Sequence, residues 1–197
     1  MKMIGGRPYR MDARARSAEE TGQRILDAAV AEFWDRPSAE LSLENVAVRA
    51  GVSVRTVIRR FGGKEALLAA AVQREMHRTS VERETPVGDL EAAVRVLVAH
   101  YERIGDKVLK MLAEEHGVDA LRPIADQGRR LHRDWCRAVF SPALSGLSAQ
   151  DRRRRLAQCV AVCDVHTWKL LRRQQGLSRR QTEIALIELL TPMMEES

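Results

Sequence analysis

Apolar residues recur along this chain at every third or fourth position, which is the spacing that places side chains on one face of an α-helix. The chain has 197 residues, and the strict alternation typical of β-strands is absent from it. Prolines fall mainly between the periodic stretches, at Pro37, Pro86, Pro123, Pro142 and Pro192. The pattern predicts an all-α fold, with a group of three short N-terminal helices followed by a larger helical bundle.

The N-terminal segments carry start and stop signals for helices. One helix is expected from about Ala18 to Asp35. A second is expected between the N-cap candidate Ser42 and the terminator Gly51, and a third between Ser53 and the pair Gly62-Gly63. Two short helices joined by a tight turn form the helix-turn-helix layout, in which the second helix lies in the major groove of DNA.

The third segment, residues 54–61, divides into two faces when projected at about 100° per residue. One face is apolar and is expected to pack, and it consists of Val54, Val57, Ile58 and Phe61. The opposite face consists of Arg55, Thr56, Arg59 and Arg60. No acidic residue precedes Glu65 in this stretch. The second face therefore forms a cationic surface, which fits either DNA contact or ordinary solvation.

The remaining two thirds of the chain predict further helices. Their expected positions are 64 to about 83, from Asp89 to about Ile104, a short segment from 108 to 115, from about Pro123 to 139, one long helix from Ser148 to Gln175, and a last helix from Ser178 toward Pro192. The spacing Ser178-x-x-Gln181 is that of a capping box.

Several separated motifs resemble one known family. The motifs are RILDAAVAEF (24–33), SLENVAVRAGVS (42–53), Thr56, Phe61 and KEALL (64–68). They resemble the DNA-binding domain of TetR-like (tetracycline-repressor-like) transcriptional regulators, over about residues 18–72. The resemblance implies an all-α homodimer with a small DNA-binding domain and a larger C-terminal domain that usually binds a small effector.

The resemblance and the helix pattern together predict four regions. These are a flexible basic arm over 1–17, a helix-turn-helix DNA-binding domain over 18–63, a connecting helix over 64–85, and an effector-binding and dimerisation domain over 86–197. The third helix departs from the family pattern at three positions. Arg55, Ile58 and Arg60 stand where the family commonly has Gly, Tyr and His, so no relative's operator sequence can be assumed.

The predicted DNA contacts follow from side-chain chemistry and position. Arg55 lies in the first turn of the third helix and is expected to donate to guanine O6 and N7. Arg59 could read a base or hold a phosphate, and Thr56 and Arg60 are expected on phosphates. The resemblance implies backbone contacts for Lys64 and Ser42. The complete set of candidates is Ser42, Ser53, Arg55, Thr56, Arg59, Arg60 and Lys64.

Amino-acid composition adds little to the predicted fold and function. Hydrophobic residues make up 45% and charged residues 30%, which is typical of a folded soluble protein. The net charge of +6 favours an anionic partner weakly. No apolar run approaches the roughly 18 residues that a membrane helix needs. The basic segment before residue 17 lacks the apolar stretch of a secretory signal, so a cytoplasmic protein with no membrane contact is expected.

The C-terminal bundle is expected to enclose an effector site. Its candidate lining residues are Tyr101, Met111, Leu131, Trp135, Cys159, Val162 and His166. Their types suggest a mostly apolar effector held by one or two hydrogen bonds, although each residue alone also fits ordinary core packing.

Three residues support an alternative reading of the bundle. Cys159, Cys163 and His166 are spaced i, i+4 and i+7, so a continuous helix would place them on one face as metal ligands or as an oxidant-sensing thiol pair. Buried free cysteine also behaves as a small hydrophobe, and no fourth ligand is evident unless Cys136 or a partner subunit supplies it. We therefore expect no metal and no cofactor. No catalytic constellation or glycine-rich phosphate loop is present, so an enzyme is not expected.

The last predicted helix is apolar nearly all round, which requires cover on two sides. A homodimer interface through Ile184, Ile187, Leu190 and Met194 would provide it, and burial within the same domain is the alternative. A two-fold dimer implies a roughly palindromic operator. The sequence thus predicts a homodimeric transcriptional repressor that a small effector releases from double-stranded operator DNA. A metal- or redox-sensing regulator, or one whose C-terminal domain binds a protein, is the alternative.

Overall fold

The computed structural model describes residues 7–36 and 40–194, with side chains described within 16–36 and 40–194. These residues form helices and contain no β-strand, which confirms the all-α prediction. They divide into two compact units, Met1–Glu75 and Met76–Ser197, called here the N-terminal and the C-terminal unit. Within the described ranges, no helix is both long and apolar enough to cross a membrane.

Four helices contribute to the N-terminal unit. They are α1 (Arg7–Asp35), α2 (Leu43–Ala50), α3 (Val54–Phe61) and the first part of α4 (Lys64–Glu82). The ends of α2 and α3 agree with their sequence signals because the capping groups are local. The side chain of Ser42 accepts from the backbone N–H of Asn45 at 3.2 Å, and Gly51 ends α2 with a φ of 66°.

The core of the N-terminal unit joins all four helices. Ile25, Val46, Val57 and Leu67, one from each helix in order, are fully buried. Since Leu67 and Ala71 of α4 belong to this core, the compact unit extends beyond the end predicted at residue 63. The boundary at Glu75 lies inside the helix that the sequence analysis treated as a connector.

The first helix begins earlier than predicted. It starts at Arg7, so residues 7–17 are helical rather than a flexible arm. Good helix formers such as alanine and arginine over 12–16 allow the periodic segment at 18–35 to extend toward the N-terminus. The rest of the predicted arm, residues 1–6, lies outside the described residues.

Six helices form the C-terminal unit together with the end of α4. They are α5 (Leu90–Glu114), α6 (Arg122–Val139), α7 (Ser141–Leu144), α8 (Ala149–Val162), α9 (Val165–Lys169) and α10 (Arg179–Met194). The predicted capping box of α10 is present. The Ser178 N–H donates to Gln181 Oε1 at 2.9 Å, and the Gln181 N–H donates to Ser178 Oγ at 3.2 Å.

Helix α5 is continuous where the sequence predicted two segments. Gly105, a weak helix former near the expected break, lies in the interior of α5 and is buried. A Cβ built on Gly105 would lie 2.6 Å from Cζ3 of Trp168. The glycine therefore allows the indole of α9 to contact the α5 backbone directly, and the ring is fully buried there.

The long helix predicted from Ser148 to Gln175 is interrupted. Helix α8 ends at Val162, and Asp164 caps α9 by accepting from the His166 N–H at 2.8 Å. A π-helical turn, Leu170–Gln174, follows α9. Aspartate is a strong N-cap residue because its carboxylate competes for free N–H groups, so a new helix starts inside the apolar repeat.

Candidate functional site

Helices α2 and α3 have the helix-turn-helix arrangement predicted from the sequence. Ser53 caps α3, and its Oγ accepts from the Thr56 N–H at 3.2 Å. The same Oγ lies 2.9 Å from the Thr56 hydroxyl, so this hydroxyl is part of the cap. The first turn of α3 is thereby fixed, and the free N–H groups at a helix N-terminus favour a phosphate there.

Two arginines of α3 are exposed and available for contact. Arg55 and Arg59 form no hydrogen bond or ion pair with any described residue. On the opposite side of the helix, Val57 is fully buried and Phe61 is half-buried. The predicted division of α3 into a packing side and a cationic side holds for these four residues.

Arg60, unlike Arg55 and Arg59, forms an ion pair within the N-terminal unit. Its Nη2 lies 3.0 Å from Oε2 of Glu19 in α1, and a Cβ on Gly22 would lie 2.5 Å from its Nε. The guanidinium therefore rests against the α1 backbone and is neutralised by a carboxylate. The residues around Arg60 in the sequence could not show this ion pair, because Glu19 lies 41 positions away.

Ile58 also departs from the expected pattern. The helical projection placed it among packing residues, but 46% of it is exposed. Helix α3 contacts the rest of the unit along a narrow line through Val57, so a residue at the edge of the apolar arc remains open. Ile58 stands beside Arg55 on the accessible surface of the helix.

Two further DNA-binding candidates lie at helix starts. Lys64 is exposed in the first turn of α4, and Ser42 is half-buried at the N-cap of α2. The Ser42 Oγ accepts one hydrogen bond from its own helix, which leaves the hydroxyl hydrogen free to donate to a phosphate.

The predicted effector residues of the C-terminal unit are divided among different environments. Tyr101 and Cys159 belong to the packed core, where the Tyr101 hydroxyl donates to the Cys163 carbonyl at 3.1 Å. Burial raises the pKa of Tyr101. Met111 and Val162 are half-buried and do not line the pocket described below. None of these four residues lines that pocket.

His166 is separated from the two cysteines that the sequence grouped with it. Its side chain is 62% exposed, and its Nδ1 lies 2.7 Å from Asp164 Oδ1. The cause is the break between α8 and α9, which removes the continuous face that the i, i+4, i+7 spacing requires. No group of three His, Cys, Asp or Glu side chains within the described ranges could hold a metal ion.

A different pair of thiols is brought together in the core. The hydrogen bond between Cys136 and Cys163 lowers the pKa of Cys136 to about 5 despite its burial, and a hydrogen bond with His132 acts in the same direction. The same contact raises the pKa of Cys163. Burial raises the pKa of Cys159 to about 11. From the sequence, Cys136 was expected only as a possible fourth metal ligand, because 27 residues separate it from Cys163.

One pocket of the C-terminal unit contains two of the predicted residues, Leu131 and Trp135. We call it the α4–α6 pocket. It has a volume of about 440 Å³, and it lies between the end of α4, the segment that follows α4, and α6. Its lining consists of His77, Thr79, Ser80, Val81, Arg83, Glu84, Thr85, Val87, Leu131, Asp134, Trp135, Ala138 and Val139.

Sequence reasoning missed the polar part of this pocket. Arg83 was taken as the end of a helix and Thr85 as part of a break, although both line the cavity. A possible signal was the position of an arginine two residues before a threonine-proline pair, where a helix cannot continue. That signal places the residue at a helix end but does not indicate its burial.

The predicted dimer residues of α10 differ in exposure. Ile184 is 45% exposed, and Ile187 and Met194 are half-buried. Leu190 is fully buried in the core of its own unit, so its assignment to an interface was wrong. Leu189, which the sequence analysis did not select, is 48% exposed on the same helix.

The helix-turn-helix segment is similar to known regulatory proteins. The family model described as bacterial regulatory proteins, tetR family, matches residues 25–71. An uncharacterised HTH-type transcriptional regulator of Mycobacterium tuberculosis is 40% identical over 86 residues, which are 43% of this chain and 43% of that protein. The HTH-type transcriptional regulator SrpR of Pseudomonas putida is 30% identical over 100 residues, 51% of this chain and 47% of SrpR. The chain spans less than half of the length of these curated relatives.

Solved structures extend the likeness in fold over most of the chain. The SmeT–triclosan complex has a TM-score of 0.64 at 19% identity and covers 88% of this chain and 91% of SmeT. A transcriptional regulator from Rhodococcus sp. Rha1 has a TM-score of 0.60 at 20% identity, covering 88% of this chain and 95% of the other. Residues 25–71 thus resemble bacterial regulatory proteins of the tetR family, and the solved structures share the all-α fold over most of the chain.

Proposed function

We propose that this protein is a homodimeric transcriptional repressor that releases a palindromic operator when a small molecule binds its C-terminal unit. The observation that carries the proposal is the pair Arg55 and Arg59, exposed and without partners among described residues, on a helix whose opposite side is buried. A free guanidinium can donate two hydrogen bonds to guanine O6 and N7 in the major groove.

The remaining candidates support this surface. Lys64 and the N-caps Ser42 and Ser53 lie at helix starts, where phosphates are held without reading sequence. Thr56 contributes through the cap of α3, and Arg60 can reach a phosphate only after leaving Glu19. Because operator DNA is the proposed target, the proposal places the protein in the cytoplasm.

The test begins by selecting bound duplexes from random DNA, which identifies an operator without assuming one. Arg55→Ala should then weaken binding to the selected duplex by roughly 1–3 kcal/mol and relax the preference at one base pair. Arg95→Ala, which removes an exposed arginine from α5, serves as the control. An equal loss on selected and scrambled duplexes would contradict base reading by Arg55.

The effector part of the proposal is supported by the α4–α6 pocket. Its volume of about 440 Å³ lies within the range of ligand sites in proteins. SmeT and EbrR, which share the fold, have structures with triclosan and proflavin respectively. A small molecule that releases the protein from its operator should lose this effect when Leu131 or Ala138 is replaced by Trp to fill the cavity. Release that survives both substitutions would place the effector elsewhere.

The dimer part of the proposal is supported by the apolar residues that α10 exposes. Ile184 and Leu189 are about half exposed, which leaves apolar surface without cover in a single chain. Ile184→Glu should convert a dimer into a monomer in sedimentation experiments and weaken operator binding. Val48→Glu places the same charge on an exposed apolar residue of α2 and should leave the mass unchanged. A monomeric native protein would exclude this interface.

A further inference from the structure

The C-terminal unit buries an arginine without a carboxylate partner. Arg83 is only 4% exposed, and it forms no ion pair with the described part of the chain. Its Nη2 lies 3.2 Å from Nδ1 of His132, and its Nε is buried without any hydrogen-bond partner. A guanidinium carries five N–H donors, so most of its capacity is unused.

The histidine beside Arg83 does not supply negative charge. Arg83 can only donate, so Nδ1 of His132 must accept. Nε2 of His132 lies 3.2 Å from the Val160 carbonyl oxygen, which can only accept, so Nε2 carries the hydrogen. His132 is therefore the neutral tautomer, and the positive charge of Arg83 is not compensated by it.

Arg83 is nevertheless held firmly in place. Its Cζ lies 4.1 Å from the centroid of the Trp135 ring. The Trp135 Nε1–H donates to the Arg83 carbonyl oxygen at 2.8 Å. A buried charge without an anion is costly, whereas a cation already fixed in position loses little freedom when an anion binds. Arg83 is therefore a cationic hydrogen-bond donor that is already fixed in position and can bind an anionic acceptor.

Arg83 lines a cavity together with a second side chain that has an unpartnered polar atom. Both Arg83 and Thr85 line the α4–α6 pocket, and Thr85 Oγ1 is buried without a hydrogen-bond partner. Apolar side chains form much of the remaining wall: Val81, Val87, Leu131, Ala138 and Val139. The pocket wall thus combines a guanidinium and a hydroxyl, which can bind an oxyanion, with side chains that suit an apolar body.

The acidic residues of the pocket wall do not neutralise Arg83. Asp134 is bonded to Arg137, and its side chain is 64% exposed. Glu84 is exposed. Neither carboxylate forms an ion pair with Arg83 in the described structure.

We infer that the α4–α6 pocket binds a small organic carboxylate, whose oxygens accept from Arg83 and Thr85 while its apolar body lies against α6. This inference rests on the proposed function, since it names the chemical class of the effector. It also changes the expected ligand from a mostly apolar molecule to an amphipathic anion.

Cys136 is the competing source of negative charge. Hydrogen bonds from Cys163 and His132 lower the pKa of Cys136, which favours its thiolate. If its thiolate already balanced Arg83, the pocket would have no need of an external anion. The experiment must separate these two cases.

The experiment uses calorimetric titration of the full chain with three acids, each paired with its neutral amide. The pairs are benzoate and benzamide, octanoate and octanamide, and naphthoate and naphthamide. At neutral pH and constant ionic strength, at least one acid should bind about tenfold or more tightly than its amide, since charge-assisted hydrogen bonds contribute at least that ratio. No preference for the acid in any pair would overturn the inference.

Variants assign the preference to the pocket. Arg83→Met should abolish it, and Arg95→Met, the same change at an exposed site, should retain it. Thr85→Val should weaken acid binding a few-fold while leaving the guanidinium in place, so the assignment does not depend on Arg83→Met being folded. Persistence of the preference in Arg83→Met, or acid binding that arises only in Cys136→Ala, would overturn it.

These titrations contain no DNA, so their outcome does not depend on whether the protein binds an operator. If carboxylates fail to bind while Arg55→Ala loses operator binding, the regulator proposal stands and the ligand class is wrong. If carboxylates bind but no duplex is selected, the pocket inference stands and the DNA-binding proposal is wrong.

Discussion

Arg55 and Arg59 of the N-terminal unit and Arg83 of the C-terminal unit lie in opposite environments. Arg55 and Arg59 in the N-terminal unit are exposed, whereas Arg83 in the C-terminal unit is buried, and none of the three has an acidic partner among described residues. An exposed cation is screened by salt and is effective against a polyanion that offers many phosphates. A buried cation is screened little and suits a single anion of matching shape. The same side chain thus suits a polyanion where it is exposed and a single small anion where it is buried.

Histidine shows the same asymmetry. All five histidines of the sequence lie in the C-terminal unit, at positions 77, 100, 116, 132 and 166. Histidine is the side chain whose ordinary pKa lies nearest to neutral pH, and every histidine of the sequence lies in the unit with the α4–α6 pocket. Changes of salt should act mainly on the N-terminal unit, and changes of pH mainly on the C-terminal unit.

The largest effect should come from removing both free arginines of α3. Arg55→Ala combined with Arg59→Ala should weaken operator binding by roughly 2–6 kcal/mol if each arginine contributes about 1–3 kcal/mol. The measurement is fluorescence anisotropy on the selected duplex. Arg83→Met should leave the affinity of the effector-free protein nearly unchanged. If Arg83→Met weakened operator binding as much as the double variant, the expected difference between the exposed arginines of α3 and the buried Arg83 would be contradicted.

The next effect is a dependence of stability on pH. Burial first, and the nearby charge of Arg83 second, lower the pKa of His100 from 6.5 to about 3. Between these values the unfolded chain binds a proton that the folded chain excludes. The free energy of unfolding should therefore fall as pH decreases below 6.5, by up to about 1.4 kcal/mol per pH unit.

Urea unfolding at several pH values measures this dependence. His100→Gln, which cannot take up a proton, should flatten it. His116→Gln, at a side chain that is 86% exposed, should not. A slope that is unchanged in His100→Gln would assign the acid sensitivity to other groups.

A smaller effect should follow from removing the lysine at the start of α4. Lys64→Ala should weaken binding to every duplex by a similar factor, because a phosphate contact carries no sequence information. The plot of log affinity against log salt concentration should become shallower by about one unit. If selected and scrambled duplexes responded differently, Lys64 would be reading bases.

The smallest effect should come from the ion pair that holds Arg60. Glu19→Gln should change the free energy of unfolding by no more than about 1 kcal/mol, because both side chains are partly exposed. Released from Glu19, the guanidinium can reach DNA, so binding to any duplex should strengthen slightly at low salt. Weaker binding in Glu19→Gln would indicate that the pair instead positions α3 correctly.

Local signals were read correctly from the sequence. Ser42, Ser53 and the Ser178–Gln181 box act within three residues, so their geometry is fixed by chain order alone. The interruption before α9 was missed because the apolar repeat continues through it. Whether Asp164 acts as an N-cap depends on competition between one continuous helix and a new helix that starts after Asp164.

The pocket could not be predicted because its parts meet only in the folded chain. Arg83 contacts His132 and Trp135, which follow it by 49 and 52 positions. Whether a lone arginine is exposed or buried depends on which helix packs over it. The same limit applies to Arg60, whose partner lies in α1. Sequence reasoning therefore located the cationic side of α3 well and the chemistry of the bundle interior poorly.

The contact between Gly105 and Trp168 has an evolutionary consequence. With the indole 2.6 Å from where a Cβ would be, no side chain fits at position 105 while the tryptophan stays in place. Descendants of this protein can exchange either residue only by accommodating the other. Among close homologues the two positions should be inherited as a pair, with a larger residue at 105 accompanied by a smaller one at 168.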